Sequence, residues 1–168
     1  MSELQRLYDT RAIPADPVAI TADVAERTAL AKRFGLVSIN SLDADLTLVP
    51  EGKTVNVRGR LRAAVVQSCA VSGEDLPVTI DEAVVLRFIP AGLTSQPDEE
   101  IELDADDCDE IEMDGTQFDL GEAVAQSLAL AIDPFAVGPD AEEARRKAGL
   151  LDEGESGPFA ALKALKKD

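Results

Sequence analysis

Histidine and tryptophan are absent from this 168-residue chain, and cysteine is limited to Cys69 and Cys108. Without an imidazole, neither a Ser-His nor a Cys-His nucleophilic pair can be assembled. Two sulfurs fall short of the four ligands that a structural zinc takes, and they make no disulfide framework. No apolar run approaches the roughly 20 residues that cross a bilayer. The start, MSELQRLYDTRAIP, has neither the basic opening nor the apolar stretch of a secretory signal. A soluble, cytoplasmic protein with no membrane partner is therefore expected. Aromatic residues make up 4% of a chain that is 45% hydrophobic, so the core has to be built from Val, Leu, Ile and Ala.

Positive charge is scarce as well. The formal net charge is −17, and no Lys or Arg occurs between Arg87 and Arg145. That stretch holds Asp98, Glu99, Glu100, Glu102, Asp104, Asp106, Asp107 and Asp109, followed by Glu110, Glu112 and Asp114. Such a balance disfavours general binding to phosphate backbones, DNA included, because that binding rests on Lys and Arg displacing counterions. It favours basic partners. Asp104, Asp106 and Cys108 begin to imitate a calcium-binding loop, but the Gly at its sixth position and the Glu at its twelfth are missing. A solvated acidic surface is the better reading. No catalytic residue, no metal and no other cofactor is expected, and no glycine-rich phosphate loop follows a strand.

What is present is periodic. Residues 42, 44, 46 and 48 are apolar while 43, 45 and 47 are polar, the alternation of a half-buried strand. After Pro50-Glu51-Gly52-Lys53 the alternation resumes, with Val55, Val57, Leu61, Ala63 and Val65 on one side and Asn56, Arg58, Arg60 and Arg62 on the other. A four-residue turn there would set Val55 against Leu48, Arg58 against Asp45, Arg60 against Asp43 and Arg62 against Ser41, leaving Arg62 the least neutralised. Leu76, Val78, Ile80, Val84, Leu86 and Phe88 continue the apolar side, interrupted by Glu82. Three antiparallel strands near 41–49, 54–71 and 76–89 follow, with Gly59 as a point where the middle one bends. A short strand is expected within 3–9, and further short strands around Ile101, Leu103, Ile111 and Met113.

A helix is expected over 24–34, capped by Asp23 with Glu26 and ended by Gly35. A second, capped by Asp119, carries Leu120, Ala123, Val124, Ser127, Leu128 and Ala131 in helical rhythm, widened by Leu130 and Ile132. It is expected to cover the greasy side of the sheet. Asp140 is expected to cap a short third helix. The fold class is α+β: an antiparallel β-meander, open or barrel-like, with a buried helix in the C-terminal half and a smaller N-terminal helix. One domain is expected over 1–150, followed by a flexible linker and basic segment over 151–168.

Several segments, in order, resemble the YceD family. They are Glu26-Arg27 with Ala29-Leu30-Ala31, then Val66-Gln67-Ser68-Cys69-Ala70-Val71 with Leu76-Pro77-Val78. Phe118-Asp119-Leu120-Gly121-Glu122-Ala123-Val124 with Leu128-Ala129-Leu130 follows, and Gly157-Pro158-Phe159-Ala160-Ala161-Leu162 closes the series. The resemblance implies a non-enzymatic role in accumulation of large-subunit ribosomal RNA. Many members carry a cysteine cluster with metal-ligand spacing near the C-terminus. The stretch 136–157 has no Cys here, so no metal-dependent property carries over.

Two partners follow. Arg58, Arg60 and Arg62, with the C-terminal Lys163, Lys166 and Lys167, are candidates for contact with large-subunit ribosomal RNA. Asp98, Glu99, Glu100, Glu102, Asp104, Asp106, Asp107 and Asp109 are candidates for shielding a basic ribosomal protein. Pairing of the arginines with Asp43 and Asp45 is the competing structural role. Cys69, on the apolar side of its strand, reads as a small buried hydrophobe.

Overall fold

The structure, a computed structural model, describes residues 2–92 and 109–149. In chain order the elements are β1 (Leu7–Asp9), β2 (Val18–Thr21), α1 (Val24–Phe34), β3 (Ser38–Glu51), β4 (Thr54–Ser68), β5 (Asp75–Pro90), β6 (Asp109–Met113), β7 (Gln117–Asp119), α2 (Leu120–Ala131) and α3 (Ala141–Lys147). Five strands form one sheet in the order β2-β3-β4-β5-β6, and β1 pairs with β7 in a second, two-stranded sheet. The α+β class stands. The large sheet is open, not a barrel: β2 and β6 are its two edges and do not pair with one another.

The three long strands follow from their alternation, but the register differs from expectation by two residues. Glu51 pairs with Thr54, so the turn is only Gly52 and Lys53. Gly52 has φ 62° and Lys53, like every other non-glycine among the described residues, has no positive φ, the pattern of a type II′ hairpin, which matches strand twist better than a four-residue loop. Leu48 therefore faces Val57, Leu46 faces Gly59 and Ala44 faces Leu61. A shift by two leaves every side chain on its proper face, and for that reason the hydrophobic pattern alone could not reveal it. Gly59 is fixed by close approach: a Cβ there would lie 2.0 Å from the Asp45 carbonyl oxygen.

β6 runs parallel to β5, Leu86 opposite Asp109 and Pro90 opposite Met113. It pairs only with residues 86–90, so residues 75–85 of β5 have a strand partner on one side alone among the described residues. Ile101 and Leu103 lie outside the described residues.

The apolar side of the sheet and both larger helices share one core, including Leu42, Leu46, Val57, Leu61, Val84 and Phe88 with Leu30, Leu120, Val124 and Leu128. α1 has the full reciprocal cap: Asp23 accepts from the Glu26 amide and Glu26 accepts from the Asp23 amide, and Gly35 closes it in the left-handed conformation. Val24, expected on its apolar side, is exposed. On α2, Leu130 is 81% exposed rather than part of the stripe. Asp140 makes no capping hydrogen bond to α3.

Asp119-Leu120-Gly121-Glu122 is where the N-terminal segment is locked down. The Asp119 carboxylate accepts from the amides of Glu122 and Arg6 (3.1 and 2.8 Å), and the Leu120 amide donates to the Arg6 carbonyl. Leu120 is fully buried, and Gly121 lets the Leu4 carbonyl approach so closely that a Cβ would stand 1.8 Å from its oxygen. Glu122 receives two hydrogen bonds from Arg33 of α1, at 2.7 and 3.0 Å, and Arg33 also reaches Glu3. Arg6 in turn donates twice to Glu26.

The Arg33 hydrogen bonds hold the Glu122 carboxyl down at about 2, against 4.5 ordinarily. A carboxyl whose folded pKa is depressed stabilises the fold above its unfolded pKa and loses that contribution as pH falls through the folded one. Glu122→Gln should therefore lower stability by about 1 to 2 kcal/mol at neutral pH. The gap between variant and wild type should close between pH 4.5 and about 2. Denaturant titrations of both proteins across that range would show it, and a gap independent of pH would refute the assignment.

Candidate nucleic-acid interface

The outer face of the sheet is set by the even-numbered residues of β4. Arg58, Arg60 and Arg62 stand there in one row, all exposed, with alternate residues about 6.8 Å apart. The observed register changes their neighbours. Arg58 lies between Thr47 and Val85, Arg60 between Asp45 and Ala83, and Arg62 between Asp43 and Asp81.

Ion pairing runs diagonally and not between directly opposed residues. Arg60 binds Asp81 at 2.5 Å, and Arg62 reaches Asp45 at 3.3 Å. The hydrogen bond from Arg60 lowers the pKa of Asp81 and raises that of Arg60. Both arginine side chains remain 57% exposed. Arg58 has no carboxylate partner among the described residues, so it, and not Arg62, is the least neutralised. Arg87, half-buried on the same face, donates to the Asn56 side chain at 2.8 Å, an addition that the unbroken 58–60–62 pattern did not suggest.

The other candidates divide. Asp109 is exposed at the start of β6, beside exposed Glu110 and Glu112. Asp98, Glu99, Glu100, Glu102, Asp104, Asp106, Asp107, Lys163, Lys166 and Lys167 lie outside the described residues, as does Cys108. The arginine row and Asp109 are not one site: Asp109 is on an edge strand, opposite Leu86.

Cys69 is buried but not in a purely apolar setting. Its sulfur accepts from the amides of Gly138 and Ser72, at 3.3 and 3.4 Å. Those donors, Gly138 first, bring its pKa down to about 6. At 4% exposure it serves as an acceptor that ties residues near 138 to the end of β4. Among the described residues no group of three or more His, Cys, Asp or Glu is placed to hold a metal ion. No helix among them is long and apolar enough to cross a membrane.

Fold and surface together define an acidic α+β protein whose exposed sheet face carries a guanidinium row. The chain belongs to the YceD family. The family model described as large ribosomal RNA subunit accumulation protein YceD matches residues 57–166, which takes in the arginine row, the Asp119 helix and the closing motif but not α1. No curated protein and no solved structure matches the chain. The family's name ties the protein to accumulation of large-subunit ribosomal RNA.

Proposed function

We propose that this protein is a non-enzymatic, cytoplasmic ribosome-biogenesis factor that supports accumulation of large-subunit ribosomal RNA by binding pre-ribosomal RNA or a pre-ribosomal particle. The observation that carries this reading is the exposed row Arg58, Arg60 and Arg62 on one strand face, with Arg58 lacking a carboxylate partner among the described residues. Guanidiniums present forked donors suited to phosphate oxygens. Their spacing along β4 is comparable to that of successive phosphates in an extended strand. The pairs with Asp81 and Asp45 are solvent-exposed, and such pairs contribute only about 0.2–1 kcal/mol each, so phosphate can displace them. Lys163, Lys166 and Lys167 would add to the contact. The chain's charge of −17 confines binding to this surface and makes it salt-sensitive.

A second reading rests on the exposed carboxylates of β6, Asp109, Glu110 and Glu112, continuing an acidic sequence that begins at Asp98. Such a surface suits a basic ribosomal protein. The two separate cleanly. Replacing Arg58, Arg60 and Arg62 together by Ala should abolish co-purification of ribosomal RNA at low salt and reduce the log–log salt slope of binding by about 2. The variant's thermal midpoint should stay near wild type, since all three side chains are exposed. Association that survives this change but is lost on neutralising Asp109, Glu110 and Glu112 would sink the RNA reading in favour of the protein one.

A further inference from the structure

The register divides the outer face of the large sheet into two halves of different chemistry. Toward the β4–β5 turn, Arg60 lies between Asp45 and Ala83 and Arg62 between Asp43 and Asp81, and both arginines hold a carboxylate. Toward the Gly52 turn, the cross-strand rows read Thr47-Arg58-Val85 and Val49-Asn56-Arg87. Neither row contains an Asp or Glu on these three strands. The carboxylates that border them are Asp45 in the next row, Glu51 beside the turn and Glu110 opposite Arg87 on β6.

The Gly52 half is built to hold its cations open. Asn56 donates to Glu51 and accepts from Nε of Arg87, both at 2.8 Å. That chain of contacts orients the Arg87 guanidinium while its Nη groups, and the whole Arg58 side chain, have no hydrogen-bond or ion-pair partner among the described residues. Val85, directly opposite Arg58, is 44% exposed and Val49, directly opposite Asn56, is 53% exposed. Free guanidinium planes stack on unpaired bases, and the two valines are apolar surface that a base or ribose can cover. The shape of the charge matters too. From Arg58 to Arg62 the cations form a line one strand wide, about 14 Å long. To either side the face offers carboxylates: Asp43 and Asp45 on β3, Asp81 on β5 and Glu110 on β6. A single phosphate backbone can follow such a line, whereas the second backbone of a duplex would lie over carboxylates.

We propose, resting on the RNA-binding reading above, that the RNA this face takes is single-stranded and is anchored at the Gly52 end of the sheet. There Arg58 and Arg87 grip it, with bases against Val49 and Val85, and the phosphates run on past Arg60 and Arg62. Arg60 and Arg62 each give up an existing ion pair for a phosphate, so they add less to affinity than the two free guanidiniums. Arg87, outside the row on β4, is thus a binding residue, and Asn56 positions it.

Fluorescence anisotropy at low salt with two labelled probes tests this: an unstructured, mixed-sequence RNA strand of about 16 nucleotides, and the same strand annealed to its complement. The full-length protein should bind the single strand at least about tenfold more tightly than the duplex. Replacing Arg58 and Arg87 together by Ala should weaken single-strand binding by about tenfold or more, and replacing Arg60 and Arg62 together by Ala by less than about threefold. Arg87 is half-buried, so the thermal midpoint of each variant is measured alongside. Should Arg87→Ala lower it, Arg58→Ala alone, at an exposed position, should still weaken binding more than the Arg60 and Arg62 pair. Equal affinity for duplex and single strand, or the larger loss on replacing Arg60 and Arg62, would overturn the proposal and leave RNA binding by the arginine row standing. Binding of neither probe would remove the RNA reading itself and this proposal with it.

Discussion

Gly121→Ala is expected to destabilise the protein by about 3 kcal/mol or more, at or above the upper end of ordinary overpacking. The opposite sign would be expected from helix propensity, since Gly to Ala within a helix normally gains about 1 kcal/mol. What reverses it is the Leu4 carbonyl oxygen, 1.8 Å from where the new Cβ would sit, with the Leu4 carbonyl carbon at 2.8 Å and the Arg6 nitrogen at 3.0 Å. These are backbone atoms and cannot rotate aside. The N-terminal segment must lift, and with it go the burial of Leu4, the hydrogen bond from the Arg6 amide to the Asp119 carboxylate and the one from the Leu120 amide to the Arg6 carbonyl. Thermal denaturation should show a midpoint lower by about 6–12 °C, and limited proteolysis should cut first within residues 2–9. A midpoint equal to or above that of wild type would refute the close approach.

The Asp119 segment shows what a sequence motif does and does not disclose. Its capping role was legible, because Asp followed three residues later by Glu before an apolar run is a helix start. The rest was not. Glu122 does not complete the reciprocal cap but binds Arg33, 89 positions away. Gly121 serves a contact with Leu4 that no local pattern encodes. The likeness to the YceD family at these four residues is thus a likeness of construction: they join the N-terminal segment, α1 and α2, and none is free to act on a ligand.

The strands were legible for a different reason. Period-two alternation reports which face is buried, and it placed Arg58, Arg60 and Arg62 on the open side. It is blind to a shift by two residues, so it misplaces their neighbours and makes Arg62 the least neutralised of the three, where the observed register leaves Arg58 so. Glu82 is visible as an anomaly, and the structure leaves it exposed where α2 and β5 diverge. The apolar stripe of α2 was expected to include Leu130, whereas the helix diverges from β5 there and leaves a groove. The parallel pairing of β6 also escaped, since alternation reports the buried face of a strand and not its direction.

Phe88→Ala should be the most damaging single truncation in the core, costing about 3–5 kcal/mol. The chain holds five Phe and one Tyr, and three of these six rings are in contact, Tyr8 stacked on Phe118 and Phe88 tilted against it. Phe88 lies 4.4 Å from Phe118, centroid to centroid, and Phe118 lies 5.9 Å from Tyr8. Tyr8 and Phe118 are directly paired in the β1–β7 ribbon, whereas Phe88 sits in the large sheet between Val55 and Ile111. This ring contact therefore joins two sheets that share no backbone ladder among the described residues, and ring pairs of this kind add about 0.5–1.5 kcal/mol beyond area burial. Phe135→Ala, at a ring 80% exposed, provides the control and should change stability by no more than about 0.5 kcal/mol. Where Phe88→Ala fails to fold, Phe88→Leu keeps most of the volume and should lose about 1–2 kcal/mol. Urea unfolding followed separately through Tyr8 fluorescence and far-ultraviolet circular dichroism should give coincident transitions in wild type. In Phe88→Leu the Tyr8 transition should come first, because the ribbon has lost its ring contact while the large sheet keeps its ladders. Coincident transitions with a loss matching that of Phe135→Ala would mean that the two sheets are held together by something other than this ring contact.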